Sequence, residues 1–151
     1  MNFNVRKFFE QLLIFNLKEQ GFEMEEGNSK LIHAYNPNNE EELIISLVTR
    51  NLSNKSEKES SVVNASKDVV EKLKSDISLL GRNSRTCLAF GIAKYGLDEF
   101  ELAIVPTEVI ENKATKGGVF AITNGGYYYD YQKIEQANEK DLVLRKKWQK
   151  K

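Results

Sequence analysis

The stretch ELIISLVTR, residues 42–50, decides the fold because it is apolar on both of its faces. Alternate side chains of an extended strand point to opposite sides. Here one side carries Leu43, Ile45 and Leu47, and the other carries Ile44 and Val48. A strand that is apolar on both sides belongs in the middle of a sheet that is covered on both faces. TCLAFGIAKY, residues 86–95, alternates bulky with small side chains and predicts a second such strand, with a helix close against its small side.

The segment before the first central strand predicts one helix and two short strands. Apolar residues recur at helical spacing from Val5 to Gln20, with Asn4 as the N-cap and Gly21 after the last turn. FEMEE and KLIHAY then alternate as strands about the turn EGNS, and Pro37 ends the second of them.

Between the two central strands the sequence predicts a loop and a helix. Residues 51–61, NLSNKSEKESS, are polar and without aromatic side chains, so we predict a mobile loop there. Apolar residues from Val62 to Leu80 then form one helical stripe that closes at Gly81.

The last third of the chain predicts a strand, a short helix, a hairpin and a C-terminal helix. EFELAIV is a strand that runs into Pro106, which starts the short helix PTEVIEN. GGVFAITNGGYYYDYQ forms a hairpin about Asn124-Gly125, since a type I′ turn needs two residues with positive φ. We predict a helix from Lys133 to Trp148 and a basic tail over residues 145–151. Together these elements predict a single α/β (α+β) domain over residues 1–151, with a central mixed sheet flanked by helices.

Composition excludes several classes of protein. Of 151 residues, 22 are Lys or Arg and 22 are Asp or Glu, so no global positive field steers the chain to nucleic acid or anionic lipid. The single cysteine, Cys87, and single histidine, His33, exclude an internal disulfide and a Cys/His zinc site. The amphipathic N-terminus carries charges and has no cleavage site of small residues, so we expect a cytoplasmic protein without a membrane segment.

Four tyrosines in five positions follow the hairpin turn. With a two-residue loop, Phe120 faces Tyr129 and Ile122 faces Tyr127, which puts three of the tyrosines on one face of the hairpin and Tyr128 on the other. The three-tyrosine face either covers core, with cross-strand aromatic pairs, or forms a stacking surface for nucleic acid.

The usual motifs of dinucleotide binding, NTP hydrolysis, serine hydrolysis and zincin chemistry are absent from the sequence. The remaining possibility for catalysis is carboxylate chemistry with Mg²⁺, which needs two or more convergent oxygen ligands.

The order of elements over residues 5–110 (helix, three strands, helix, strand, strand) resembles the restriction-endonuclease-like fold of the PD-(D/E)xK nucleases. That resemblance implies a mixed sheet with a helix on each face, an acid on the second strand, and D/E-x-K on the third. Here Ser46 and Val48 stand where the acid and lysine are expected, Arg50 keeps a positive charge at the strand end, and the second strand offers His33 or Tyr35. The resemblance therefore implies a nuclease-like domain that has lost the catalytic motif.

Three functional hypotheses follow. The first is a metal-independent domain that binds DNA or RNA or acts as an accessory protein, with contacts from Arg50, Lys55, Lys58, Arg82, Arg85, Lys116, Tyr127, Tyr128 and Tyr129. The second is a protein-interaction module, an inhibitor or accessory subunit, with an exposed apolar patch. The third is a divergent Mg²⁺-dependent nuclease, with candidate residues Glu42, Glu101, Glu111 and Lys113; only this hypothesis requires a cofactor.

Overall fold

A computed structural model describes residues 4–25, 31–52, 62–77, 84–94, 98–136 and 138–149. In chain order the elements are α1 (Val5–Glu19), β1 (Glu23–Glu25), β2 (Ile32–Asn36), β3 (Glu41–Leu52), β4 (Val62–Ala65), α2 (Lys67–Ile77), β5 (Ser84–Lys94), β6 (Glu99–Pro106), α3 (Thr107–Lys113), β7 (Phe120–Thr123), β8 (Gly126–Asp130) and β9 (Leu144–Gln149). Two short 3₁₀ helices, Tyr131–Gln136 and Glu139–Asp141, precede β9.

Within the described residues, the larger of two sheets has six strands in the order β1-β2-β3-β5-β6-β9. Strands β3 and β5 are parallel neighbours at its centre, and the other pairs are antiparallel. Both central strands were predicted from their two-faced sequences, and both predictions are confirmed. The predicted fold class, α+β with a central mixed sheet between helices, is confirmed as well.

Helix α1 covers one face of the large sheet. Its buried side chains Phe9, Leu13 and Leu17 belong to the same core cluster as Cys87, Ala89 and Ala93 of β5. Gly91 permits this close approach, because a Cβ atom there would lie 2.6 Å from Cγ of Phe9. The predicted helix on the small side of β5 is therefore confirmed, and so is the N-cap, since the Asn4 side chain accepts a hydrogen bond from the amide of Lys7.

The opposite face is covered by α2 and by a second sheet of strands β4, β8 and β7. Val70 and Leu73 of α2 join the core that Leu88 and Phe90 of β5 form on this side. Tyr129 of β8 stacks on Phe90, with ring centroids 4.9 Å apart. The hairpin therefore encloses the core rather than extending the large sheet.

Residues 62–65 are strand β4, so the prediction of a helix beginning at Val62 is wrong. The β-branched pair Val62-Val63 pairs antiparallel with β8, where Val63 lies opposite Tyr129. Helix α2 begins only at Lys67, one residue after Ser66, whose hydroxyl accepts a hydrogen bond from the amide of Val69 at 3.3 Å. Of the predicted loop, residues 51 and 52 belong to β3, and residues 53–61 lie outside the described part; so does the predicted helix end at residues 78–81.

The prediction of a C-terminal helix from Lys133 to Trp148 is also wrong. The segment forms 3₁₀ turns and then β9, which pairs antiparallel with the edge of β6. Along LRKKWQ, Leu144 is buried, Lys146 and Lys147 are exposed, and Trp148 is half-buried and stacks on Phe100 with ring centroids 4.8 Å apart. Of the predicted basic tail, residues 145–149 therefore lie in a strand, and 150–151 are outside the described residues.

The register of the C-terminal hairpin is the one predicted for a two-residue loop. Asn124 and Gly125 have φ values of 48° and 79°, as a type I′ turn requires. Phe120 pairs with Tyr129 and Ile122 with Tyr127. Tyr127, Tyr129 and Tyr131 are each less than a tenth exposed, so this face covers core.

Candidate functional site

A cleft opens at the edge of β3 beyond its pairing with β2, between α1 on one face of the sheet and α2 on the other. Its volume is ≈ 520 Å³, which is within the range of ligand sites. We call it the β3 cleft, and it is lined by Arg6, Glu10, Leu31, Ser46, Leu47, Val69 and Lys72. Ser46, which is 8% exposed, lies on the strand itself, whereas both cations come from the flanking helices.

The cleft exists because β3 extends further than its neighbour β2. The pairing of the two strands ends at Ile32 and Ile45, and β3 continues to Leu52. An unpaired strand edge leaves carbonyl groups that need donors. The Arg6 guanidinium supplies one, since its Nη1 donates to the Leu47 carbonyl at 2.8 Å, while its Nε lies 3.4 Å from the Glu10 carboxylate.

Ser46 and Val48, where the resemblance led us to expect the acid and lysine, lie on one side of β3, and Ser46 lines the cleft. By strand alternation Ser46, Val48 and Arg50 share the face of Ile44, and Ile44 pairs with His33 of β2. Arg50 donates from Nη1 to the carbonyl of Val62, which joins β3 to β4. Its guanidinium therefore has a structural partner within the protein.

The donor set of the β3 cleft does not fit a Mg²⁺ ion. Mg²⁺ requires several oxygen ligands in near-octahedral geometry, and the lining residues that the structure describes offer one carboxylate, Glu10, beside the Ser46 hydroxyl. The guanidinium of Arg6 is already next to that carboxylate. In the part of the chain that the structure describes, no three His, Cys, Asp or Glu side chains cluster in a way that could hold a metal ion.

The candidate acids Glu42 and Glu101 lie far apart. Glu42 is opposite Ser84 on β5 and accepts a hydrogen bond from its hydroxyl at 3.1 Å, whereas Glu101 is opposite Ile92. Residues 84 and 92 are eight positions apart on one strand, roughly 26 Å at the rise of an extended chain. These two carboxylates do not form one site.

Glu101 belongs to a buried polar network under the hairpin. It is 5% exposed, and its Oε2 accepts a hydrogen bond of 2.6 Å from the Tyr129 hydroxyl. Arg145 of β9 lies with Nη2 3.4 Å from the other oxygen. Burial raises the pKa of Tyr129 well above its usual range, and the neighbouring Glu101 carboxylate raises it further. The network connects the two sheets.

Glu111 of α3 forms a second cluster at the protein surface, where it accepts hydrogen bonds from Lys74 of α2 and from the Tyr127 hydroxyl. Partial burial raises the pKa of Glu111, but the hydrogen bonds from Lys74 and Tyr127 outweigh this effect, so the pKa is lowered overall. The hydrogen bond to Glu111 raises the pKa of Lys74. Lys113, two residues along α3, is exposed and lines a separate pocket of ≈ 270 Å³ with Asp141. The two therefore project on different sides of the helix.

The predicted nucleic-acid contacts are dispersed over the surface. Arg85 is exposed and pairs with Glu41, Lys116 is exposed on the loop after α3, and Tyr128 is half-buried on the outer side of the hairpin. Tyr127 and Tyr129 are buried, at 7% and 0% exposure, so neither ring is exposed for stacking in this structure. Lys55, Lys58 and Arg82 lie outside the described residues.

Sequence reasoning missed Arg6, Glu10 and Lys72, the charged residues of the β3 cleft. Each stands on the polar flank of an amphipathic helix, a place where most charges only face water. Arg6 and Glu10 are four residues apart, which predicts an ion pair but not a cleft beside it. Their convergence with Lys72 depends on where the two helices lie across the sheet.

The helix on each side of a mixed sheet, with parallel β3 and β5 at its centre, defines the restriction-endonuclease-like fold that the order of elements predicted. Among solved structures the chain is similar to Hjc, a Holliday junction resolvase from the archaeal hyperthermophile Archaeoglobus fulgidus. The two share 17% sequence identity over 90% of this chain and 92% of that chain, with a TM-score of 0.58. At this identity the similarity shows the fold alone.

No protein-family model matches the sequence, and no curated protein matches it. Among the helices that the structure describes, none is long and apolar enough to cross a membrane.

Proposed function

We propose that this protein binds nucleic acid through a nuclease-like fold without cleaving it. The observation that carries the proposal is the β3 cleft, whose lining includes the cations Arg6 and Lys72. It is supported by Ser46 and Val48, which stand where the resemblance leads us to expect the acid and lysine of the motif. Such a surface attracts phosphate rather than a divalent cation. We propose accordingly that no metal cofactor is needed and that the protein acts in the cytoplasm.

DNA is the preferred ligand in this proposal, because the similar structure is that of a Holliday junction resolvase. Net charge is zero, so binding must depend on local cations rather than on a general positive field. Outside the cleft, Arg85 and Lys116 are exposed candidates and Tyr128 is half-buried; Arg85 pairs with Glu41. We therefore expect modest affinity that is sensitive to salt.

The test is fluorescence anisotropy with labelled single-stranded, duplex and four-way-junction DNA, and with RNA, at about 50 and 200 mM salt. We expect binding that weakens steeply with salt, and a salt slope that falls by about 1 in Arg85→Ala. Lys18→Ala is the matched control, because Lys18 is exposed in the last turn of α1. Absence of binding to every probe at micromolar protein would refute the proposal.

Incubation of the same DNA with Mg²⁺ or Mn²⁺ tests the second half of the proposal. We expect intact DNA, since Glu42 and Glu101 stand at opposite ends of β5. Metal-dependent cleavage that is lost in Glu10→Gln would instead establish a divergent nuclease with its site in the β3 cleft.

A protein-interaction module is the second candidate, and Phe15 favours it. This side chain lies on the outer side of α1 and is 60% exposed, which is unusual for a phenylalanine. Ile122 of the hairpin, 38% exposed, is the other large exposed apolar residue among those described. Failure to bind nucleic acid, together with a protein partner whose binding is lost in Phe15→Ser, would favour this candidate.

A further inference from the structure

We infer that the β3 cleft binds the phosphate group of a single nucleotide without a metal ion. This inference rests on the proposed function for its ligand class, since it assigns one nucleotide of a bound strand to this cleft. It goes further by assigning the contacts to Arg6 and Lys72 and by requiring that an isolated nucleotide bind there.

Charge favours an anion in the cleft. Two cations, Arg6 from α1 and Lys72 from α2, line it from two helices, and among the described lining residues Glu10 is the one acid. Glu10 is next to the Arg6 guanidinium, with Nε 3.4 Å from its carboxylate, so part of its charge is already neutralised. In the described part of the chain Lys72 has no ion-pair partner, which leaves its ammonium group available to a ligand.

The Arg6 guanidinium is held in place before any ligand arrives. Its Nη1 donates to the Leu47 carbonyl at 2.8 Å, and its Nε lies 3.4 Å from the Glu10 carboxylate. A guanidinium has further N–H groups beyond these two, and they match the spacing of phosphate oxygens. A cation that is already oriented loses less conformational entropy when it binds.

The size and the apolar lining of the cleft favour a nucleotide over a free phosphate ion. A volume of ≈ 520 Å³ exceeds what phosphate alone would fill. Leu31, Leu47 and Val69 provide apolar surface for a base or sugar, and the Ser46 hydroxyl can exchange hydrogen bonds with it. One apolar side and a few convergent polar groups are typical of sites for small organic ligands.

The test is isothermal titration calorimetry of the full chain with deoxynucleoside monophosphates, the corresponding deoxynucleosides and inorganic phosphate, each in EDTA and in Mg²⁺. We expect the monophosphates to bind more tightly than either other ligand, and EDTA to leave their affinity unchanged. Lys72→Ala should weaken monophosphate binding roughly tenfold, the loss of one charge-assisted hydrogen bond. Alanine is a good helix residue, so α2 should remain folded.

Lys67→Ala is the matched control on the same helix, because Lys67 is 63% exposed, pairs with Glu71 and lies outside the cleft. Equal affinity for monophosphate in Lys72→Ala and Lys67→Ala would overturn the inference, as would binding that requires Mg²⁺. Inorganic phosphate that binds as tightly as the monophosphates would overturn the nucleotide assignment. Oligonucleotide binding that persists unchanged in Lys72→Ala would refute this site and leave the proposed function standing. Monophosphate binding without oligonucleotide binding would refute the proposed function and leave this site standing.

Discussion

Tyr129 provides the sharpest test of whether the hairpin tyrosines serve the core. Its hydroxyl donates a 2.6 Å hydrogen bond to the buried Glu101 carboxylate, and its ring stacks on Phe90. Tyr129→Phe removes the hydroxyl and keeps the ring. If the tyrosine is a core residue, this change lowers stability and leaves nucleic-acid binding unchanged.

The expected loss follows from the contacts of Glu101. A hydrogen bond to a charged group contributes about 1.5–3 kcal/mol, and a buried acceptor without its donor is costly. Arg145 remains at 3.4 Å from the other carboxylate oxygen, so the acceptor keeps one partner. We therefore expect a loss of about 2 kcal/mol, which lowers the Tm of a domain of this size by roughly 4–8 °C.

Urea unfolding followed by tryptophan fluorescence measures this loss. Trp148 is the one tryptophan of the chain, and it is stacked on Phe100 where β9 joins the sheet. Tyr128→Phe is the matched control, because Tyr128 is on the same strand but on the outer side of the hairpin. We expect the control to change stability by less than about 0.5 kcal/mol, as surface substitutions usually do.

Two results would refute this reasoning about Tyr129. Equal stability of Tyr129→Phe and Tyr128→Phe would show that the hydroxyl makes no net contribution through Glu101. A loss of DNA binding in Tyr129→Phe without a change in unfolding midpoint would show that the tyrosine contacts ligand, in a conformation in which the hairpin has moved off the core.

Three further predictions concern the core and the surface cluster. Burial raises the pKa of the Cys87 thiol to about 12, so a thiol reagent at neutral pH should label it only as fast as the protein unfolds; labelling at the rate of a free thiol would contradict this. Gly91→Ala should lower the free energy of unfolding by about 1–3 kcal/mol, because the new methyl group overpacks against Phe9. The loss should be smaller in a Phe9→Leu background, and an equal loss in both backgrounds would contradict the contact. The pKa of Glu111 is lowered, so its stabilising contribution is present above its ordinary pKa of 4.5 and is lost as pH falls through the lowered value. The Tm advantage over Glu111→Gln should therefore disappear in acid, and an advantage that persists there would refute the pairing with Lys74.

The parts of the fold that sequence predicts are those that neighbouring residues determine. The two-faced run 42–50 and the alternation of bulky and small side chains in β5 each identify a central strand without knowledge of the partner. The turn Asn124-Gly125 fixes the register of its own hairpin through positive φ values. In each case the deciding interactions lie within about ten residues.

The elements that sequence reasoning missed have partners far along the chain. Val62 and Val63 continue the apolar stripe of α2, so they satisfy a helical pattern equally well, and only pairing with β8 makes them a strand. Leu144 and Trp148 are four residues apart and so satisfy a helical pattern, but pairing with the edge of β6 makes this segment a strand. Such short segments take the structure that tertiary pairing stabilises.

The β3 cleft was missed for the same reason. Of its two cations, only Arg6 has a structural role within the fold. Arg6 caps the carbonyl of Leu47, which β2 is too short to pair, so the fold needs a donor there whether or not a ligand binds. Its substitution would therefore lower stability and binding together. The Lys72 side chain makes no such structural hydrogen bond to the residues that the structure describes. A binding loss in Lys72→Ala at unchanged stability is consequently the result that separates a ligand site from an incidental gap between two helices.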